Sequence, residues 1–189
     1  MRANAVPRDD VANAPPPMNL GVSATIPSVF ITWKKIYMID CKFELNNKSM
    51  STFWCGATTF PAFSGLGKHV NQRLSACVLN AGPIPPGTYY IVDRESGGVL
   101  GPLWDRIKGK TNWFALYAID NRIDDHAYCD EVERGNFRLH PNVPYGVSKG
   151  CIVINDPAKY PYLRLILKSS KPTPIPGTKY SAYGKVVVR

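Results

Sequence analysis

The chain has 189 residues, with 23 Lys and Arg against 14 Asp and Glu, a net charge of +9; 44% of residues are hydrophobic and 20% charged. That length suits one domain with its own core, and that balance excludes a disordered polymer. The longest apolar stretches, such as Val29-Phe30-Ile31 and Leu163 to Leu167, are far shorter than the roughly 20 residues a membrane-spanning helix needs.

Residues 1–28 read as a flexible Pro/Ala-rich tail. They hold Pro15-Pro16-Pro17, and the charges of Arg2 and Arg8 cancel those of Asp9 and Asp10. Asp9 and Asp10 interrupt the segment before any apolar run forms, so the pattern does not fit a secretory signal. If the protein is exported, a signal-peptide-independent route is expected. Residues 29–189 are expected to form a single catalytic domain.

Within that domain short apolar segments alternate with Gly, Pro and Asn. Val29 to Ile39 has the β-branched and aromatic content of a strand. Cys41 to Leu45 and Ser49 to Cys55 flank Asn46-Asn47-Lys48, a hairpin turn. The indices 41 and 55 are symmetric about Lys48, so Cys41 and Cys55 should face each other across the hairpin. A disulfide and two buried thiols are both open there. Gly82-Pro83-Ile84-Pro85-Pro86-Gly87 leads into a strand over Thr88 to Asp93; Trp113 to Ile119, Phe137 to His140 and Cys151 to Ile154 are further strands. One helix is expected after Asp156-Pro157, with Tyr162, Leu163, Ile166 and Leu167 on its apolar side. A last strand lies near Lys185 to Arg189. The fold class is mainly β, a sandwich or barrel-like domain with one or two short helices.

Chemistry concentrates between residues 137 and 154. A strand ends on His140, a ten-residue loop from Pro141 to Gly150 carries two prolines and two glycines, and the next strand opens on Cys151. Such a loop brings its ends together at one sheet edge. An imidazole beside a thiol favours the thiolate, the nucleophilic form. Gly150 leaves room for a substrate to approach the sulfur, and backbone N–H groups across Ser148, Lys149, Gly150 and Cys151 are suited to an oxyanion.

His140 followed by Ser148-Lys149-Gly150-Cys151 resembles the signature of the L,D-transpeptidases. The short spacing is most similar to the L,D-transpeptidase-like, peptidoglycan-targeting effectors of type VI secretion systems. Phe63-Ser64-Gly65, Gly82 to Tyr89 and Trp113 to Tyr117 extend the resemblance upstream. It implies an L,D-transpeptidase-type fold and a cysteine-dependent L,D-carboxypeptidase or L,D-transpeptidase acting on the peptidoglycan stem tetrapeptide. Cys151 would be the nucleophile and His140 the base, with no cofactor and no metal. It also implies an antibacterial toxin acting in the periplasm of target bacteria, with a cognate immunity protein and type VI secretion components as partners. Where housekeeping transpeptidases have a second histidine this chain has Lys149, and Ile152-Val153-Ile154 replace their arginine. Arg138 or Lys149 is then expected to bind a substrate carboxylate, with Ser64 and Tyr145 as further substrate contacts. A backbone carbonyl is expected to orient His140.

Other classes are weighed against this. Papain-like peptidases usually place Cys before His, and a sortase would want an arginine after the cysteine strand, where Arg164 falls in the helix. A non-catalytic basic cell-wall-binding module would make Cys151 a core residue. His69 and His126 lack partners at metal-ligand spacing, and Cys77 and Cys129 belong to no Cys-x-x-Cys unit. Trp33, Trp54, Trp104 and Trp113 are not interleaved with Lys and Arg, so nucleic acid is not an expected partner. The acid-rich segment from Asp120 to Arg134 reads as a solvated loop, with a lid or partner contact as the sharper alternative.

Overall fold

A computed structural model describes residues 38–94, 112–142 and 147–189, all within the compact unit Lys35–Arg189. Tyr145, the tail 1–28, Trp33, Trp104 and most of the expected strand over Val29 to Ile39 lie outside the described residues.

Eight strands close into a barrel in the order β1 (Ile39–Phe43), β2 (Ser51–Cys55), β3 (Thr58–Phe63), β9 (Ile152–Ile154), β8 (Arg138–Pro141), β5 (Phe114–Ala118), β4 (Gly87–Asp93) and β11 (Ser181–Val188). β11 returns to β1 in parallel, Cys41 opposite Val186. A two-residue strand, β10 (Thr173–Pro174), pairs with the start of β11, and β6 (His126–Cys129) and β7 (Val132–Gly135) form a separate hairpin. Closure leaves the main sheet few open edges. Inward positions alternate along each strand. Phe43, Phe53, Phe60, Ile91, Phe114, Leu116, Leu139 and Ile152 are fully buried in one interior cluster. Val92, Ala115 and Tyr117 belong to the opposite face, where Ile175 and Ala182 cover them.

Asp156 accepts a hydrogen bond from the Ala158 N–H (3.0 Å) and starts a 3-10 turn, Pro157–Lys159, that runs into α1 (Tyr160–Ser169). Tyr160, Leu163 and Leu167 of α1 enter the interior cluster with Ile166 packed beside them; Tyr162, expected on that face, points largely to solvent. Among the described residues no helix is long and apolar enough to cross a membrane.

Cys41 and Cys55 do face each other across the β1–β2 hairpin, but both are free thiols. They are hydrogen-bonded to each other inside the barrel, and that contact together with burial pushes the Cys41 thiol far up. Disulfide formation also requires access to an oxidant, and both thiols lie buried in the barrel interior. The disulfide instead joins Cys77 and Cys129, both partly accessible, and closes a separation of 52 residues. Asp130 lies beside that pair, but both sulfurs are used by the bond to each other and the trio does not fit a metal ion.

Candidate functional site

β8 and β9 are neighbours, as the loop between them suggests, but they run parallel rather than as a hairpin: Leu139 pairs with Ile152 and His140 with Val153. Leu139 and Ile152 face the barrel interior. By alternation Arg138 and His140 share the other face with Cys151 and Val153. One step back along the register, Cys151 enters at the level of Arg138, and His140 stands one pleat further on. The thiol and imidazole therefore lie on one face of adjacent strands, offset diagonally rather than directly opposed.

His140 is buried on this face and tightly framed. Its Nδ1 lies 2.8 Å from the Pro141 carbonyl, which fixes a proton on Nδ1 and leaves Nε2 as the acceptor. A backbone carbonyl was the expected orienting group. The ring stacks on Trp113, with centroids 4.1 Å apart and planes at 14°. The Tyr160 hydroxyl reaches the Leu139 carbonyl at 2.8 Å, tying α1 to the strand that carries the histidine.

The turn before Cys151 is held at each of four residues. Ser148 Oγ donates to the Cys151 carbonyl (2.7 Å) and accepts from the N–H groups of Gly65 (3.1 Å) and Gly150 (3.3 Å). Ser64 Oγ donates to the Gly150 carbonyl (3.3 Å) and accepts from Ile84 N–H (2.9 Å). The Ser64 N–H in turn donates to Asn71 Oδ1 at 2.9 Å. Arg134 Nη2 donates to the Lys149 carbonyl (3.3 Å) and the Gly82 carbonyl (3.0 Å), while its Nη1 donates to the Ala76 carbonyl. The upstream pieces around Ser64 and Gly82 thus meet at the turn from Ser148 to Cys151.

Several expected roles change. Ser64 is fully buried and acts as a strut, not a substrate contact, because its polar atoms are taken by the turn. Gly150 does not hold space for a substrate. At φ +120°, an added Cβ would lie 2.6 Å from Phe137 Cε1 and 2.9 Å from Arg134 Nη2, so the protein's own side chains occupy that room. Ser148 is buried within the turn, and Lys149 is exposed. Arg138 directs both terminal nitrogens to Asp125, at 2.6 and 2.5 Å, so its fork is not open to a substrate carboxylate.

The segment from Asp120 to Arg134 is not a plain solvated loop. It includes β6 and most of β7, turns through Asp130 and Glu131, and supplies Asp125 and the buried Arg134. Burial lowers the guanidinium pKa of Arg134, whose charge is met by the carbonyl dipoles of Ala76, Gly82 and Lys149. Arg134, Asn71, Asp125 and the stacking role of Trp113 carry no local sequence signal. Arg134, Asp125 and Trp113 each acquire their role from a strand or loop more than ten residues away, and Asn71 from Ser64, seven residues before it.

The architecture is a closed β-barrel domain with an imidazole and a thiol on one outer face of adjacent parallel strands. The chain belongs to the Tlde1 domain family, whose model matches residues 58–178 and so covers β3, the turn from Ser148 to Cys151, and α1. This is a family of antibacterial effectors of type VI secretion, and membership implies a cognate immunity protein and the secretion machinery as partners. No curated protein and no solved structure matches the chain.

Proposed function

We propose that the protein is a cysteine-dependent L,D-carboxypeptidase and L,D-transpeptidase that removes or exchanges the terminal D-alanine of the peptidoglycan stem tetrapeptide in the periplasm of target bacteria. The observation that carries this reading is the placement of His140 on β8 beside Cys151, the residue that leads into the parallel strand β9, with His140 Nδ1 tied to the Pro141 carbonyl. That tie leaves Nε2 to take the thiol proton. The Cys151 sulfur then attacks the carbonyl of the bond to D-alanine. Backbone N–H groups of the turn from Ser148 to Cys151 are the proposed oxyanion donors. Collapse breaks the C–N bond, D-alanine leaves with the proton held by His140, and a thioester to Cys151 remains. Water releases it as the tripeptide; a D-amino acid amine releases it as the exchanged tetrapeptide. Exposed Lys149 is the proposed contact for the substrate's terminal carboxylate. The excess of basic residues suits an anionic cell wall.

Digestion of purified tetrapeptide muropeptides, read by mass, tests this. Loss of one D-alanine residue, abolished by Cys151→Ala and by His140→Ala, is the expected result. Unchanged muropeptides with folded wild-type protein would overturn it, as would cleavage that survives Cys151→Ala.

A further inference from the structure

Three charged groups gather around Cys151, and the proposed mechanism uses only Lys149 of them. Lys149 stands in the turn itself and is exposed. Arg134 approaches from β7 but is directed onto carbonyls. Arg138 is different. It lies on β8 one residue before the Leu139–Ile152 pair, as Cys151 lies one residue before that pair on the chain entering β9. Its guanidinium is almost buried, with 13% of the side chain accessible, and cannot swing away, because Asp125 grips both terminal nitrogens and the Phe137 carbonyl accepts a third contact at 2.9 Å. A cation fixed at a strand position next to a thiol, in a half-desolvated setting, acts on the thiolate far more strongly than a mobile surface lysine does.

We infer that Arg138, moored by Asp125, is the fixed counter-charge of the Cys151 thiolate, and so a positioning residue for the nucleophile rather than a substrate clamp. The inference rests on Cys151 being the nucleophile and adds what holds its reactive form. The interaction is mutual. Burial works against the Arg138 charge, yet Asp125 first and Cys151 after it, with Tyr117 of β5, hold the guanidinium above its ordinary range. The groups facing Cys151 are then Arg138 and His140 from β8, Lys149 from its own turn and Asp125 behind Arg138, with Arg134 one residue back on the turn. Only Arg138 is both cationic in every accessible pH range and fixed by a bidentate acid. Asp125 takes up part of the positive charge, so the thiolate sees a tempered field with a set direction.

The test is the pH dependence of iodoacetamide alkylation at Cys151, followed by mass on the peptide that carries it in the full chain. Cys41 and Cys55 are buried and Cys77 is bonded to Cys129, so the labelled site is unambiguous. Wild-type protein is expected to alkylate with a midpoint below the value near 8.5 of a free thiol. Arg138→Gln should move the midpoint up by about one pH unit and slow alkylation at pH 7 about ten-fold. Arg138→Lys, which keeps the charge and loses the fork, should recover part of the shift. Because Arg138→Gln leaves Asp125 without its partner, the double variant Arg138→Gln/Asp125→Asn provides a neutral pair that keeps the contact, and it should show the same upward shift. A wild-type midpoint in a folded Arg138→Gln or double variant would overturn the inference while leaving the nucleophile reading intact. A wild-type midpoint at or above that of a free thiol would remove the nucleophile reading and this inference with it.

Discussion

His140 lies flat on Trp113, the two rings 4.1 Å apart at centroid and within 14° of parallel. Trp113 stands immediately before β5, the strand beside β8, so the barrel's own neighbour order supplies the wall against which the imidazole rests. With Nδ1 held by the Pro141 carbonyl, the stack removes the remaining rotation of the ring. A stacked pair of this kind contributes about 0.5–1.5 kcal/mol beyond area burial. Trp113→Ala should therefore lower D-alanine release roughly three- to ten-fold, and Trp113→Phe should lose less. Steady-state kinetics on tetrapeptide muropeptides checks this; equal rates for wild type and Trp113→Ala would show that the stack does not serve the proposed role of His140.

Gly150 joins two demands that no other residue meets. Its φ of +120° lies in the region that glycine tolerates, and Phe137 and Arg134 fill the place where a side chain would go. Gly150→Ala should cost about 2–4 kcal/mol, from backbone strain together with overpacking against the Phe137 ring. Denaturant titration should show a lower midpoint, and Cys151 alkylation should slow because the turn shifts. A fully stable Gly150→Ala variant would mean that the turn has freedom the contacts deny.

Much of this fold was legible because its strands alternate and its turns are punctuated. The strands over β1, β2, β4 and β5, the facing of Cys41 and Cys55, and the Asp156 cap all follow from local pattern. What stayed hidden is set by distance. β3 carries Pro61, which weakens any strand reading, yet Pro61 needs only its carbonyl, which accepts from Asn155 N–H at 2.9 Å. The parallel closure of β1 on β11 joins residues 145 positions apart, and no local spacing announces it. For the site, His140 and Cys151 were visible as a pair, but not the parallel register that sets them diagonally. Arg134 and Asp125 were counted in a charged run. Once the chain folds, Arg134 meets the carbonyls of Ala76, Gly82 and Lys149, and Asp125 meets Arg138.

The Cys77–Cys129 disulfide ties the hairpin of β6 and β7 to the segment that also supplies the Ala76 and Gly82 carbonyls to Arg134. Closing a separation of 52 residues should stabilise the fold by about 3–4 kcal/mol in the chain-entropy account. The double variant Cys77→Ser/Cys129→Ser should unfold at lower denaturant, and hydrogen exchange should rise first in residues 126–135. Exchange unchanged there, with a lowered midpoint, would assign the bond's effect to the unfolded chain alone.

Asp93, at the end of β4, receives Lys168 Nζ of α1 at 2.5 Å and the Tyr183 hydroxyl of β11 at 2.7 Å. Burial alone would raise its carboxyl, but those two hydrogen bonds, with the Lys168 and Arg164 charges, outweigh burial and hold it below the usual carboxylate range. A carboxyl with a depressed folded value stabilises the fold above its unfolded value, near 3.9, and loses that contribution as pH falls through the folded value. The stability gap between wild type and Asp93→Asn should therefore be constant from pH 7 to pH 5 and close as pH drops below about 4. Urea titrations across that range measure it. The pair is partly exposed, so added salt should narrow the gap at pH 7 as well. A gap that persists unchanged at pH 2 would show that Asp93 acts there through shape and neutral hydrogen bonding rather than through its charge.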